Sequence, residues 1–556
     1  MAENDQEDPP NFEDILKRQT EAMERLGRHF LPDEEEKRFK RLRRLAFRSV
    51  SLAAITVSGI IGSWELGVYL KESWEVRKLA SDYAKVGVEL YYSENNVGVA
   101  QRFIQKAMEL SPDNTDYQTL DAYIDGMAAV RTLFNLDRPY NGEELNKTFE
   151  ALAKSVLLEQ QDPEGAEAYI LRGQIYAALK DNVRARDTLA EAIRRDPNSD
   201  FAHVRMGVVE YNSGNELKAQ IALDRALEIN PKSKWALLWK GVIAADKKQT
   251  KNSLKWYDKA LQVDPRFDLA YYNIGWTYLK SKPKNYKSAE ASFRKALALN
   301  PDYKEAFYGL GMVFGFQNKY KVAHSYLTGA IKIDDQFLTA WKWRGIVNDE
   351  MKDYKASLSD YSKAIELDPS KADIYVRRAR VYTKTKSYEN ALGDLLLAKS
   401  LVPNNPRINL YLGQIYFDLD KLDAAQNSLA EAIAKKKRYG EAFALRSQIY
   451  EKLGKIELAK EDLDTAVKVT SYRPERFLTK RGDFMLRQKS LVLAANDYAK
   501  AHRINPLHAI AWLGEARALF QIKDKNAALA AINGYIRLKP EQAIGATLKE
   551  RIMGLP

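Results

Sequence analysis

The sequence predicts an all-α chain, a long solenoid of helix-turn-helix units preceded by a single transmembrane helix. Three observations carry that expectation. Small residues recur from Gly173 to Ala516 at 34-residue steps, with one of 36 and one of 35, prolines keep the same rhythm from Pro197 to Pro540, and an uncharged run at 49–64 follows a dense basic cluster. A fixed period of this length marks stacked supersecondary units, none of which can bury its apolar face alone. The 556 residues, 45% hydrophobic and 29% charged, fit a globular chain and exclude extensive disorder and a polytopic membrane protein. The complete lack of cysteine excludes disulfides, thiolate metal sites and cysteine nucleophiles.

The chain opens on an acidic, proline-containing stretch (Glu3, Asp5, Glu7, Asp8, Pro9, Pro10) with too little apolar surface to fold alone. Phe12, Ile15, Leu16, Met23, Leu26 and Phe30 then recur at helical spacing, with Asn11 as N-cap and Pro32 beyond the end, which predicts an amphipathic helix. Lys37, Arg38, Lys40, Arg41, Arg43, Arg44 and Arg48 complete a 1–48 segment directly before the uncharged run. That run falls short of the about 20 residues a bilayer requires, but Leu66, Val68, Tyr69 and Leu70 extend it past Glu65, so a transmembrane helix is expected over 49–70. A buried or interfacial helix is the alternative. Trp64 and Tyr69 suit one membrane interface while the arginines snorkel at the other.

Gly59, Ser63 and Gly67 form a four-residue stripe without bulk, which lets helices approach closely in lipid and points to a homo-oligomer or a membrane-protein partner. Seven Lys/Arg lie in 34–48 against four in 71–85, which predicts a cytoplasmic N-terminus and repeats on the far side, periplasmic in a Gram-negative cell. Residues 71–556 hold 76 Lys+Arg against 62 Asp+Glu, so the repeat region is the basic part of the chain. Such a surface favours acidic partners.

Within 71–165, Gly87, Leu90, Ala100, Ile104, Ala107 and Pro112 read as a degenerate first copy, followed by an irregular helix pair joined around 137–142. Eleven units then fill 166–542. Their small column is Gly173, Gly207, Gly241, Gly275, Gly311, Gly345, Ala379, Gly413, Ser447, Gly482 and Ala516, and an alanine column runs from Ala192 to Ala501. A small residue inside a helix sacrifices propensity, so its recurrence predicts close approach of two helices. The proline ends the second helix, because it lacks the amide donor and turns the preceding residue away from helix. Residues 543–556 are expected to cap the last unit.

Tyr271, Ile274, Gly275, Tyr278, Ala289, Phe293, Ala296 and Pro301 stand in an order that resembles the tetratricopeptide repeat, and Phe307, Leu310, Gly311 and Phe314 repeat its first half. The resemblance implies a right-handed superhelical solenoid that binds proteins on a concave face lined by the first helix of each unit. The inferred concave positions of units two to five are Phe201, Val204, Val208, Tyr211, Trp235, Leu238, Val242, Leu269, Tyr272, Trp276, Tyr308, Met312 and Phe316. That apolar, aromatic set suits an amphipathic helix or an extended peptide. Making Trp235, Tyr272 and Trp276 polar is then expected to abolish capture and leave melting unchanged.

Further along, Lys342, Arg377, Arg380 and Lys384, then Arg476, Lys480 and Arg487, form a basic face suited to acidic segments. The Lys and Asn pairs with which the family's co-chaperone class holds a C-terminal carboxylate are absent, which disfavours a chaperone-tail receptor. The five histidines are scattered, and there is no HExxH pair, P-loop or serine elbow, so no catalytic residue, metal or cofactor is expected. The reading is a membrane-anchored scaffold that binds protein partners, with nucleic acid disfavoured. The runner-up is a cytosol-facing adaptor whose basic solenoid contacts nucleic acid or an acidic effector.

Overall fold

The computed structural model describes residues 75–85, 97–134 and 142–555, and among them the chain forms 27 helices and no strands. Segment 1–48, the expected span at 49–70 with Gly59, Ser63 and Gly67, and also Gly87, Leu90 and 137–141, lie outside the described residues. Among the described residues no helix is long and apolar enough to cross a membrane. The chain divides after Met351 into two units. In the first, helices 75–85, Val97–Leu110, Thr115–Phe134 and Gly142–Gln161 precede helix pairs that run from Glu167–Ala178 to Tyr320–Ile333, with Leu338–Glu350 last. In the second, Tyr354–Leu367 precedes pairs from Ala372–Lys384 to Lys525–Leu538, and Ala543–Met553 packs on the last of them.

Most pairs are set by a three-residue turn. After Glu167–Ala178, the amide of Lys180 donates to Ala177 O (3.0 Å) and that of Asp181 to Tyr176 O (2.9 Å), closing the helix in a Schellman motif. The carboxylate of Asp181 then accepts from the Arg184 amide (3.0 Å) and caps the next helix, Asn182–Arg195. The closing residue must be left-handed: Gly214 and Gly454 have φ of 81° and 73°, and Lys180, Lys248, Lys386 and Lys489 take 61°, 61°, 59° and 58°. Because the turn serves both helices at once, it leaves little freedom in their crossing.

Crossing at that turn brings glycines of the small column, from Gly173 to Gly482, under one bulky side chain of the partner helix. A Cβ on Gly173 would stand 2.6 Å from Leu189 Cγ, on Gly275 2.7 Å from Phe293, and on Gly413 2.6 Å from Leu429 Cγ. The alanine column from Ala192 to Ala501 is fully buried at the foot of the second helix. Its carbonyls also end that helix, since Asp196, Asn230, Asp264 and Asn300 donate their amides to Ala192, Ala226, Ala260 and Ala296, each at 2.9 Å.

Two polar devices recur inside the pairs. The Asp or Asn that ends the second helix meets the first residue of the first helix: Asn230 Nδ2 donates to Asp200 (3.0 Å), Lys234 to Asp264 (2.5 Å), Asn300 Nδ2 to Asp268 (2.9 Å) and Lys304 to Asp334 (2.5 Å). In three repeats of the second unit, the residue before the small column is an arginine that grips an aspartate 16 positions later. Arg378–Asp394, Arg446–Asp462 and Arg481–Asp497 are bidentate at 2.7–2.9 Å, and the three aspartates are buried.

Candidate partner-binding surface

The aromatic residues expected on the first helices of 200–351 form a ladder. Trp235 meets Phe267 at 5.0 Å between centroids, Tyr272 meets Tyr303 at 5.1 Å, and Tyr308 meets Phe337 at 5.7 Å. In each case the ring of one repeat is covered by the aromatic residue just before the next repeat's first helix. Trp276 adds an edge contact to Phe293 (5.7 Å) and a tilted one to Tyr308 (5.8 Å), and burial pushes the Tyr272 phenol pKa upward.

This packing corrects the expected groove. Val204, Val208, Leu238 and Met312 are buried, because neighbouring first helices pack side by side and close over these positions. They are core residues, out of reach of a partner. Trp235, Tyr272 and Trp276 carry the ladder itself, so making them polar would disturb the stack as well as any binding.

What stays accessible is narrower. Phe201 and Trp235 line a pocket of about 570 Å³ between the starts of two repeats, and the Arg205 guanidinium lies 4.5 Å and 5.6 Å from their rings. Tyr211 leans on Trp239 (6.2 Å) and hydrogen-bonds Asp246. Phe316 is 39% exposed, with Trp343 edge-on at 6.0 Å and the Lys284 ammonium 3.6 Å from its ring centroid. Trp239, Trp343, Phe267, Tyr303 and Phe337 were not among the expected groove residues, although the last three share the repeat's period and could have been found from it.

The expected basic face separates into distinct roles. Lys342 belongs to the first unit and Arg377, Arg380 and Lys384 to the second, and Lys342 and Lys384 already engage neighbouring groups. Arg487 is held by Glu451 in a bidentate pair at 2.8 Å. Lys480 has its pKa lowered by burial and then by Arg476. Arg377 and Arg380 line a pocket.

Two of the histidines, His502 and His508, serve local structure. His502 stacks on Trp512 (3.5 Å) and bonds Glu515 (2.8 Å), and His508 bonds Thr479 (3.0 Å) with its pKa lowered by burial. Among the described residues no cluster of three or more His, Asp or Glu could hold a metal ion.

Family models of the tetratricopeptide repeat match residues 147–200, 349–406 and 494–543 in one form and 236–267, 269–303 and 440–471 in another, and these segments are tetratricopeptide repeats. No curated protein matches the chain. Among solved structures, yeast Tom70 is 18% identical over 79% of this chain and 96% of its own, with a TM-score of 0.40. A tetratricopeptide repeat protein from Parabacteroides merdae is 21% identical over 45% of this chain and 98% of its own (TM-score 0.35). The APC/C hetero-tetramer Cut9-Hcn1 is matched at 15% identity over 86% of this chain and 96% of that one (TM-score 0.36).

Proposed function

We propose, starting from the tetratricopeptide repeats that this chain carries, that it is a non-catalytic scaffold. It would hold a partner protein on the aromatic first-helix surface of 200–351, tethered to a membrane through residues 49–70. The observation that carries the reading is Phe316, a large aromatic side chain left 39% exposed where the ladder's other rings are covered by neighbours. An exposed ring on a row of parallel helices suits the apolar anchor of an amphipathic helix or extended peptide. Lys284 over that ring favours an anchor flanked by a carboxylate.

A photo-crosslinking amino acid at position 316 is expected to trap discrete partner adducts, whereas the same group at Leu217, 73% exposed on a second helix, is not. Phe316→Asp should weaken capture by about tenfold or more, the scale of a hot-spot side chain, with an unchanged melting profile. Equal adducts at both positions, or full capture by Phe316→Asp, would overturn the reading.

The tether is tested separately. Deleting 49–70 is expected to move the protein from the membrane to the supernatant, and retention on washed membranes would refute this anchor. Because the chain lacks cysteine, a single cysteine at the exposed Lys282 reports orientation. Labelling by an impermeant maleimide in intact cells is expected if the repeats are extracytoplasmic, while labelling only after lysis would place them in the cytosol.

A further inference from the structure

We infer that a pocket of about 370 Å³ in the second unit, between the starts of helices Ala372–Lys384 and Pro406–Asp418, binds an acidic segment of a partner protein through Arg377, Arg380 and Arg407. This goes beyond the scaffold reading and does not depend on the aromatic surface, which belongs to the other unit.

The argument begins with three arginines on one helix. Arg378 is committed to the fold: its Nε and Nη2 grip Asp394 at 2.9 and 2.7 Å, and its Nη1 donates to Ser362 (2.9 Å). Arg377 and Arg380, one residue before and two after, make no hydrogen bond or ion pair with any described residue, and both face the pocket. They stand three apart on the helix surface, where like charges repel.

From the adjacent repeat comes Arg407. Its Nε donates to the Tyr411 hydroxyl (3.0 Å), which steers the guanidinium without neutralising it. Lys371 adds a fourth cation at the rim, paired with Asp368 at 3.1 Å, and Asp373 is the only carboxylate in the lining.

The chemistry favours a peptide over a small anion. The cations are spread over two helices, and between them lies an apolar floor of Val376, Val402 and Ile408. A segment that alternates carboxylates with aliphatic side chains satisfies both features. The guanidinium forks take carboxylates in bidentate pairs, and the aliphatic groups cover Val402, which is 41% exposed. No free chain terminus is needed, since every cation can be met by a side-chain carboxylate.

The test uses the full-length protein and a fluorescent octapeptide of alternating glutamate and leucine, amidated at its C-terminus. Binding by anisotropy is expected, weakening as salt is raised. Arg377→Glu with Arg380→Glu should reduce affinity about tenfold or more, as should Arg407→Glu alone. Phe316→Asp should leave it unchanged, which separates failure of this site from failure of the aromatic one. The inference is overturned if the double variant binds normally, if the wild type does not bind, or if a glutamine-leucine octapeptide binds equally well. It is also overturned if a single-stranded oligonucleotide competes at lower concentration than the peptide, since the pocket would then be a polyanion surface.

Discussion

Replacing Asp462 by alanine is expected to destabilise the second unit by about 3–5 kcal/mol, the scale of a buried ion pair that loses one member. Asp462 has 7% side-chain exposure and takes both forks of Arg446 at 2.8 Å. The guanidinium is held charged, its pKa raised first by the hydrogen bond to Asp462, so truncation leaves a cation that can neither deprotonate nor reach water freely. Hydrogen exchange within Gly440–Lys452 and Ile456–Val469 reads the loss locally, which matters because repeat arrays need not unfold as one cooperative block.

Two comparisons make this prediction specific. Asp464→Ala removes the outer partner of Arg481, which is 47% exposed, and should cost less than about 1 kcal/mol, as surface pairs do. The double change Arg446→Met with Asp462→Leu removes both charges and should recover most of the stability. If Asp462→Ala were as mild as Asp464→Ala, the pair would be a surface contact in effect and the burial argument would fail.

These pairs also show where the sequence could be read and where it could not. The period, the small column and the prolines were legible because each reflects a constraint that every repeat must meet: a close crossing, a buried foot, a helix end. The arginine before the small column and the aspartate 16 residues later recur at 378, 446 and 481, but arginine on a charged helix looks like solvated surface until the partner helix is placed against it. That is why Arg377, Arg378 and Arg380 could not be sorted into free and committed cations beforehand. The burial of Val204, Val208, Leu238 and Met312 was missed for a related reason. Helical spacing marks Val204, Leu238 and Met312 as apolar positions on the first helices, but whether they are buried depends on packing between neighbouring helices, such as Trp235 on Phe267.

Adding a single methyl group should have opposite effects at two helical glycines. At Gly241, within Lys234–Asp246, a Cβ would stand 2.4 Å from Tyr257 Cε1 and 2.6 Å from Cδ1, distances no packed side chain tolerates. Tyr257 is 1% exposed, its pKa pushed up to about 12 by burial, and its hydroxyl sits among Ser253 and Thr277, so the ring has no space to retreat. Gly241→Ala is therefore expected to lose about 1–3 kcal/mol, overpacking outweighing the better helix propensity of alanine. At Gly393, within Tyr388–Leu401, an added Cβ meets nothing within 4 Å. Only the propensity term remains there, and Gly393→Ala should gain up to about 1 kcal/mol. Urea or thermal melts of the two variants decide the matter. Equal and favourable shifts would mean that the small column is not a packing constraint, and the explanation of the 34-residue period would have to be sought in something other than the helix crossing. Pairing Gly241→Ala with Tyr257→Leu should recover part of the loss, because the two positions share one contact and their effects cannot add independently.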